Sequence, residues 1–363
     1  MTPVRTSTTR SPSTRPWLSS KDRRVLDSVF SIDTRALSVV RILLAVLLLY
    51  QSLILQPDEP RETNGLVSLA AEYAHLAIVP FALMLLAGFR TKLALFVCWL
   101  LYSTPIRADL MADIPTPMGH YILNLALFWC LFLPMDRHLS WTTRRQRQAP
   151  LRYLSVASGG FLFQIVIIYL SAGLFKDRSE WLTNATAMES ILSNANYETS
   201  VGTLLLQFPY VLAIMSVASV AVEVIGSLLV MIPGKSLAVR RLIVVPVFIL
   251  FHVGIAILMG LTMFPYVMMA VWLLFLPSTF WDRLWGWFVP DRVEVQVAVD
   301  GNRWRNLLAG AAVFLAAVSN LITFIFYANY EGLPFLVDRF EDIVISLTIH
   351  QRWIMFNVPS MLP

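Results

Sequence analysis

Residues 157–175 read ASGGFLFQIVIIYLSAGLF, and the chain then continues with Lys176, Asp177 and Arg178. The stretch has no charged residue, and its length matches the roughly 20 residues that an α-helix needs to cross the hydrocarbon core of a bilayer. We therefore predict a membrane-spanning helix that ends at a lysine. An amine at the membrane surface can be desolvated enough to lose its proton and act as a base, so Lys176 is the first candidate functional residue.

The composition of the whole chain indicates an integral membrane protein. Of its 363 residues, 57% are hydrophobic and 14% are charged, and the mean hydropathy is +0.66. Soluble domains carry about 25% charged residues. Further apolar runs between charge clusters predict an all-α polytopic bundle of about nine transmembrane helices. The predicted spans are residues 37–55, 74–89, 92–106, 118–135, 157–175, 208–233, 240–261, 263–279 and 306–327.

The distribution of basic residues predicts the orientation of this bundle. With nine spans, the N-terminal segment and alternate loops carry 21 Lys and Arg residues, while the loops on the other side carry six. Basic residues are retained in the cytoplasm, so we expect the N-terminus inside and the C-terminus outside. Lys176 then lies on the outer side. We expect residues 1–30 to form a disordered basic cytoplasmic tail, residues 31–330 one transmembrane domain, and residues 331–363 a short exterior segment.

Several function classes have no support in the sequence. It has no GxGxxG, Walker, HExxH or GxSxG motif, so nothing indicates nucleotide binding or zinc hydrolysis, and we expect no metal. Cys98 and Cys130 each lie alone in an apolar run, which disfavours a thiol redox pair. The net charge of +5 sits in short loops, where topology and contact with anionic membrane lipid explain it without a nucleic acid. The alternating run 293–299 predicts a small hairpin at most.

Polar residues inside apolar runs are the remaining candidates. A charge there costs about 2.5 to 3.5 kcal/mol on the insertion scale, so such residues are functional candidates by default. Arg41 lies in the first run and Glu223 in the sixth, and we predict that they form a structural ion pair. His252 lies in the seventh run and is either a site residue or a hydrogen-bonded core histidine. For Lys176 the simpler alternative is an interfacial lysine that reaches water and anchors its helix.

A set of short fragments resembles a known family. The chain is similar to the vitamin K-dependent gamma-carboxylase family, and specifically to its horizontally transferred transmembrane (HTTM) domain, which bacteria carry in many stand-alone versions. The fragments follow the family's order over residues 30–290. They are Asp33, Arg41, Gly119-His-Tyr121, Gln164, Ala172-Gly-Leu-Phe-Lys176, Glu180-Trp181, Phe251-His252 and Gly260-Leu-Thr-Met-Phe-Pro-Tyr266.

The resemblance implies a chemistry and a site. In the carboxylase, a lysine after an Ala-Gly pair deprotonates reduced vitamin K, oxygen adds, and carbon dioxide is finally attached to a glutamate side chain. The resemblance implies that Lys176 is this base, that His120 and His252 orient the quinol oxygens, and that all three converge on one cavity. It implies a vitamin K-like hydroquinone, O2 and, for carboxylation, CO2 as cofactors. The implied cofactor-binding residues are Gln164, Trp181, Phe264 and Tyr266.

The resemblance also implies a bacterial cytoplasmic membrane with the active face outward. The animal carboxylase has a large lumenal domain after its membrane part, whereas 36 residues follow the last predicted span of this sequence, and we expect no such domain in them. Three hypotheses stay open. The protein is a quinol-dependent oxygenase or carboxylase-like enzyme, a non-catalytic maturation or immunity partner of a secreted peptide, or a protein that binds or carries an isoprenoid quinone or lipid.

Overall fold

Helices dominate the fold because a segment in lipid must satisfy its backbone hydrogen bonds within itself. A computed structural model describes residues 19–54, 66–111, 117–143, 151–286 and 297–327. The first half of the chain contains α1 (Ser20–Phe30), β1 (Ile32–Asp33), α2 (Thr34–Leu53), α3 (Leu66–Ala87), α4 (Thr91–Met111), α5 (Met118–Cys130), β2 (Arg152–Leu154) and α6 (Val156–Leu174).

The second half continues with short helices and then long ones. A π-helical turn at Ser179–Thr183 leads into α7 (Ala187–Leu192), a 3-10 turn (Ala195–Tyr197) and α8 (Ser200–Leu205). Next come α9 (Pro209–Ala221), a second π-helical turn (Val222–Gly226), α10 (Ser227–Leu229), α11 (Leu237–Met259), α12 (Phe264–Trp272), a 3-10 turn (Leu273–Phe275), α13 (Ser278–Gly286), β3 (Val297–Val299) and α14 (Arg303–Tyr327).

Each of the nine predicted spans coincides with a helix, but fewer of these helices are long and apolar enough to cross a membrane. Within the described residues four qualify, namely α2, α6, Pro209–Leu229 and α11. A fifth span would require the pair Phe264–Phe275 and Ser278–Trp285, which is bent by 99°. Helix α5 has 13 residues and is therefore about 20 Å long, which is short of the roughly 30 Å hydrocarbon core. The count of nine stays a prediction.

A small sheet joins three segments that lie far apart in the sequence. β1 pairs with β2 in antiparallel register, Ile32 opposite Tyr153, and β2 pairs with β3 in parallel register, Tyr153 opposite Ala298. The alternating run 293–299 forms a strand in its described part, Val297–Val299, which pairs with β2. β3 adds to the edge of the sheet formed by β2, because an edge strand has backbone N–H and C=O groups that are otherwise unpaired. Residues 293–296 lie outside the described residues.

The N-terminal region is more ordered than the sequence suggested. Residues 20–30, assigned to a disordered tail, form α1, whose first turn is capped because the Ser19 hydroxyl accepts a hydrogen bond from the Asp22 backbone at 3.1 Å. The guanidinium of Arg152 binds the Asp27 carboxylate at 3.2 Å and so ties α1 to β2. Residues 1–18 and the predicted exterior segment 331–363 lie outside the described part of the chain.

The core between α6, α11 and α12 is aromatic. Helix α12 packs against α11, α5 and α2. The ring of Trp272 stacks on Phe248 with centroids 3.8 Å apart, and Tyr169 meets the same Phe248 ring edge-on at 4.6 Å. Both geometries are favourable for aromatic pairs. They join α6, α11 and α12 into one rigid wall.

Candidate functional site

Lys176 lies just beyond α6 and turns inward instead of reaching water. The helix ends at Leu174, and the side chain of Lys176 is only 4% exposed. Its Nζ donates to the Glu223 carboxylate at 2.5 Å and lies 4.0 Å from the centre of the Trp181 ring. A buried ammonium requires such partners, because an unpaired charge in an apolar interior is very unfavourable. The interfacial anchor considered for Lys176 does not describe this geometry.

Both partners of Lys176 lie on π-helical turns. Trp181 belongs to the turn at Ser179–Thr183, and Glu223 belongs to the turn at Val222–Gly226, which interrupts the long helix between α9 and α10. A π-helical turn inserts one residue and changes the direction of the side chains that follow, and such turns are common at functional sites. The two turns aim the indole and the carboxylate at the same amine.

Gly173 permits the close approach that forms this ion pair. A Cβ at this position would lie 2.6 Å from a methyl group of Val224 and 3.2 Å from the Cβ of Glu223. Because glycine has no side chain, α6 packs directly on the second π-helical turn. Lys176 follows three residues later and reaches Glu223.

A cavity of about 230 Å³ opens beside the Lys176 amine. It lies between α6, α9 with its π-helical turn, α11 and the start of α12. Its polar lining consists of Tyr169, Lys176, Ser219 and Glu223, and the other lining residues are apolar, including several methionines. Leu250, which also lines it, is 68% exposed on the apolar outer face of α11. An apolar ligand can therefore enter from the bilayer.

Burial and the neighbouring carboxylate shift the pKa of Lys176 in opposite directions. Burial lowers the pKa of the Lys176 amine below its ordinary value, while the charge and hydrogen bond of Glu223 oppose that change. Because the pKa is lowered, a larger fraction of the amine is neutral at a given pH than for a lysine in water. A neutral amine can accept a proton, which is what a general base must do.

His252 is a buried, hydrogen-bonded histidine behind the cavity wall. Its Nε2 shares a short hydrogen bond with the Tyr169 hydroxyl, which also accepts a bond from the Trp272 indole nitrogen at 2.8 Å. The His252 ring packs against Phe264 with centroids 5.4 Å apart. Tyr169 and Phe264 line the cavity and His252 does not, so His252 acts on the cavity through side chains that it contacts, such as these two.

His120 lies in a different environment. Its Nδ1 shares a hydrogen bond of 2.8 Å with the Tyr102 hydroxyl, and the two rings stack. The residue before it, Gly119, abuts Met263 and Phe264. His120 does not line the cavity. Of the three residues predicted to converge on one cavity, Lys176 lines it, His252 lies behind its wall, and α5 presents His120 to α4.

The four residues predicted to bind the cofactor separate into two groups. Trp181 and Phe264 line the cavity, and the buried indole nitrogen of Trp181 bonds to no described residue. Gln164 is buried in α6 outside the cavity lining, and its amide nitrogen also lacks a partner in the described residues. Tyr266 is 43% exposed and is absent from the lining as well.

The predicted ion pair of Arg41 and Glu223 is not formed. Glu223 binds Lys176, while Arg41 donates through Nη2 to the backbone carbonyl of Leu139. The guanidinium occupies the space where Gly88, at a φ of +67°, would carry a Cβ. The physical reason is the packing of α2, which contacts α3, α5 and α12 rather than the second π-helical turn. Arg41 therefore joins α2 to the corner after α3 and to the loop after α5.

Some site residues received no role from the sequence. Tyr169 lies seven positions before Lys176, a spacing that puts two residues on the same side of a helix, and this was a usable signal although α6 ends at Leu174. Ser216, Ser219 and Glu223 share a buried face, as their spacing suggests. The pairing of Glu223 with Lys176 had no sequence signal. Among the described residues, no group of His, Cys, Asp and Glu side chains could hold a metal ion.

Comparison with known proteins assigns the family. The family model described as the HTTM domain matches residues 64–281, which is more than half of the chain and includes the cavity and Lys176. Comparisons with curated proteins and with solved structures found no match. The apolar helices and this domain together indicate a membrane protein. The chain belongs to the HTTM domain family.

Proposed function

We propose that this protein is a vitamin K-dependent gamma-carboxylase-like membrane enzyme in which Lys176 is the base that deprotonates a reduced isoprenoid quinone. One observation carries the proposal. A lysine amine with a lowered pKa lies, almost fully buried, at the polar end of an apolar cavity that reaches the bilayer-facing surface. The HTTM domain occurs in carboxylase-like proteins of this kind, which supports the same chemistry.

The residues present fit such a cofactor. The apolar lining suits an isoprenoid ring and tail, and a cavity of about 230 Å³ holds the ring and the first part of the tail. The Trp181 indole nitrogen is a buried donor without a partner among the described residues, which costs about 1 to 3 kcal/mol unless a ligand oxygen accepts its hydrogen bond. When bound, a hydroquinone supplies an acidic hydroxyl and, with O2, the oxidising power for oxygenation to an epoxide.

Each residue then has a defined task. Lys176 Nζ accepts the hydroxyl proton, and Glu223, at 2.5 Å, stabilises the ammonium that forms. Trp181 covers the amine and excludes water. Tyr169, held by His252 and Trp272, fixes part of the cavity wall and is a positioning residue. We further propose that this oxygenation is coupled to attachment of CO2 to a secreted peptide or protein substrate.

We also propose the orientation in the membrane. Nine spans with the N-terminus in the cytoplasm and the C-terminus outside satisfy the asymmetry of basic residues, 21 against six. In this orientation the Lys176 cavity faces the outer leaflet of a bacterial cytoplasmic membrane. A lipid-soluble quinone and an exported substrate could both reach it there.

A second candidate function is a protein that binds or carries a quinone or lipid. The observation in its favour is the ion pair itself, since a carboxylate at 2.5 Å stabilises the protonated, non-basic form of the lysine. A third alternative is a non-catalytic maturation or immunity partner of a secreted peptide, for which the cavity would have a structural role only. These alternatives do not require Lys176 to lose its proton.

Replacement of Lys176 by arginine distinguishes the hypotheses. Arg keeps the positive charge and can pair with Glu223, but it cannot be deprotonated in a protein. For a general base, we expect Lys176→Arg and Lys176→Ala both to lose about 10² to 10⁴ in rate of quinol oxidation or epoxide formation. The matched control is Lys21→Arg on the exposed face of α1. Equal rates for wild type and Lys176→Arg would refute the base. Absence of turnover by wild type, with quinol binding retained in Lys176→Arg, would favour the binding protein.

A further inference from the structure

A second cavity, of about 280 Å³, lies at the opposite end of α6 and α11 from Lys176. Arg152, just before α6, lines it together with Lys235 and Arg241 at the start of α11. Ser278 and Thr279, the first residues of α13, form the facing wall. None of these residues belongs to the quinone site proposed above. The two cavities are therefore separate.

The positive charge of this second cavity is only partly compensated. Arg241 is 5% exposed, and the charged groups that act on it are two more cations, Arg152 and Arg240. It donates through Nε to the Val230 carbonyl and through Nη2 to the Val29 carbonyl, and Nη1 bonds to no described residue. Neither Arg241 nor Lys235 pairs with an acid in the described part of the chain.

The acidic residue in the lining does not change this balance. Asp33 accepts two hydrogen bonds from Arg35, at 2.9 and 2.7 Å, and this arginine also binds Asp282 at 2.9 Å. Arg152 is partly neutralised by Asp27 at 3.2 Å. Arg35 and Arg152 together meet three carboxylates, so these groups with Lys235 and Arg241 leave one net positive charge for a ligand. An anion is the ligand that they would hold.

Two helix N-termini point to the same class of ligand. Leu237 and Ala238 begin α11, Ser278 and Thr279 begin α13, and all four line the cavity. The Leu237 N–H already donates to the Gly234 carbonyl at 3.1 Å, so the N–H groups left for a ligand are those of the other three residues. The first turns of helices carry backbone N–H groups without intrahelical partners and the positive end of the helix dipole. Phosphate groups bind such positions. The buried guanidinium, the exposed ammonium and these N–H groups together match a tetrahedral oxyanion.

We propose that this cavity binds a phosphate ester, such as the head group of an anionic phospholipid. Its volume falls just below the roughly 300 to 1,000 Å³ of small-molecule sites, so it admits a head group rather than a whole lipid. The chain segments around it belong to the side with most basic residues. The inner leaflet supplies anionic lipids on that side. A soluble phosphate ester has the same chemistry and is distinguished by the test.

Native mass spectrometry of the detergent-purified full chain tests the site with three probes: phosphatidylglycerol, phosphatidylcholine and inorganic phosphate. One near-surface cation contributes about 1 kcal/mol, so Lys235→Gln should weaken binding of the anionic probe about fivefold. Thr279→Asp puts a carboxylate inside the cavity and should abolish binding. An acid at a helix start stabilises the helix, so this variant should still fold. Arg283→Gln, the same charge change on the exposed face of α13, is the matched control and should have no effect.

The outcomes separate the two sources of phosphate. Preference for phosphatidylglycerol over phosphatidylcholine that Lys235→Gln and Thr279→Asp reduce supports a lipid head group. Binding of inorganic phosphate with the same sensitivity, and no lipid preference, supports a soluble phosphate ester. Equal effects of Lys235→Gln and Arg283→Gln, or no binding of either anionic probe, would overturn the proposal.

Discussion

At the scale of single residues, the decisive interaction is a buried ion pair whose members are 47 positions apart in the chain. The sequence identified Lys176, because an amine directly after an apolar run is unusual, and it identified Glu223, because an acid inside such a run is costly. It could not pair them. Whether Glu223 pairs with Lys176 or with Arg41 depends on which helices pack against each other. The sequence of an apolar run does not show which helix it will contact.

The pair leads to a prediction about pH dependence. The Glu223 carboxylate opposes the lowering of the Lys176 pKa by burial. In Glu223→Gln only burial remains, so the pKa should fall further and the rising limb of the rate profile should move to lower pH. The maximal rate should also fall, because a weaker base removes the proton less effectively. Measurement of kcat against pH for both proteins tests this.

The control for this change is Glu198→Gln, which removes one carboxylate from an exposed position. Its profile should match that of the wild type. A profile of Glu223→Gln that keeps the wild-type midpoint would show that the titrating group is not Lys176.

At the scale of elements, helix positions were predictable and helix details were not. Apolar runs located a helix for each of the nine predicted spans. A segment in lipid must form its backbone hydrogen bonds within the protein, and a helix does so within the segment itself. The two π-helical turns have no signature in hydrophobic periodicity, yet they carry Trp181 and Glu223. The three-stranded sheet was missed because its strands have two or three residues each and pair across long sequence distances.

The contact of α6 with the second π-helical turn should be sensitive to the size of residue 173. Gly173→Val adds a side chain where a Cβ would already lie 2.6 Å from Val224. We expect the two elements to separate, the ion pair to break and the protein to lose about 3 to 5 kcal/mol, the usual cost of an uncompensated buried charge. The measurement is thermal or chemical unfolding in detergent. Gly310→Val, at a position with open space in α14, is the matched control and should unfold close to the wild type.

A substitution in the cavity wall should affect ligand binding without affecting stability. Gly254 lines the cavity, and nothing lies within 4 Å of a Cβ built there. Gly254→Phe should therefore fill the cavity without displacing a neighbour. We expect the affinity for quinol to fall at least tenfold while the unfolding midpoint stays near the wild-type value. Unchanged quinol affinity would mean that the ligand binds elsewhere.

At the scale of the whole molecule, three helices run from one cavity to the other. Helix α11, with 23 residues and a length of about 35 Å, begins at the basic cavity and lines the Lys176 cavity with its second half. Helix α6 runs in the same direction, and α12 runs back. The two cavities therefore lie at opposite ends of these helices, which the predicted spans alone did not show.

This arrangement makes the orientation directly testable with single cysteines. Cys98 and Cys130 are fully buried, so the wild-type chain should give no background with a membrane-impermeant maleimide. Asn184→Cys adds an exposed thiol near the Lys176 cavity, and Ser236→Cys adds one near the basic cavity. If basic residues mark the cytoplasmic side, intact cells should label Asn184→Cys at once and Ser236→Cys only after the membrane is permeabilised. The reverse pattern would invert the topology and place Lys176 inside, where an exported peptide could not reach it. Labelling of both positions from outside would show that they do not lie on opposite sides of the membrane.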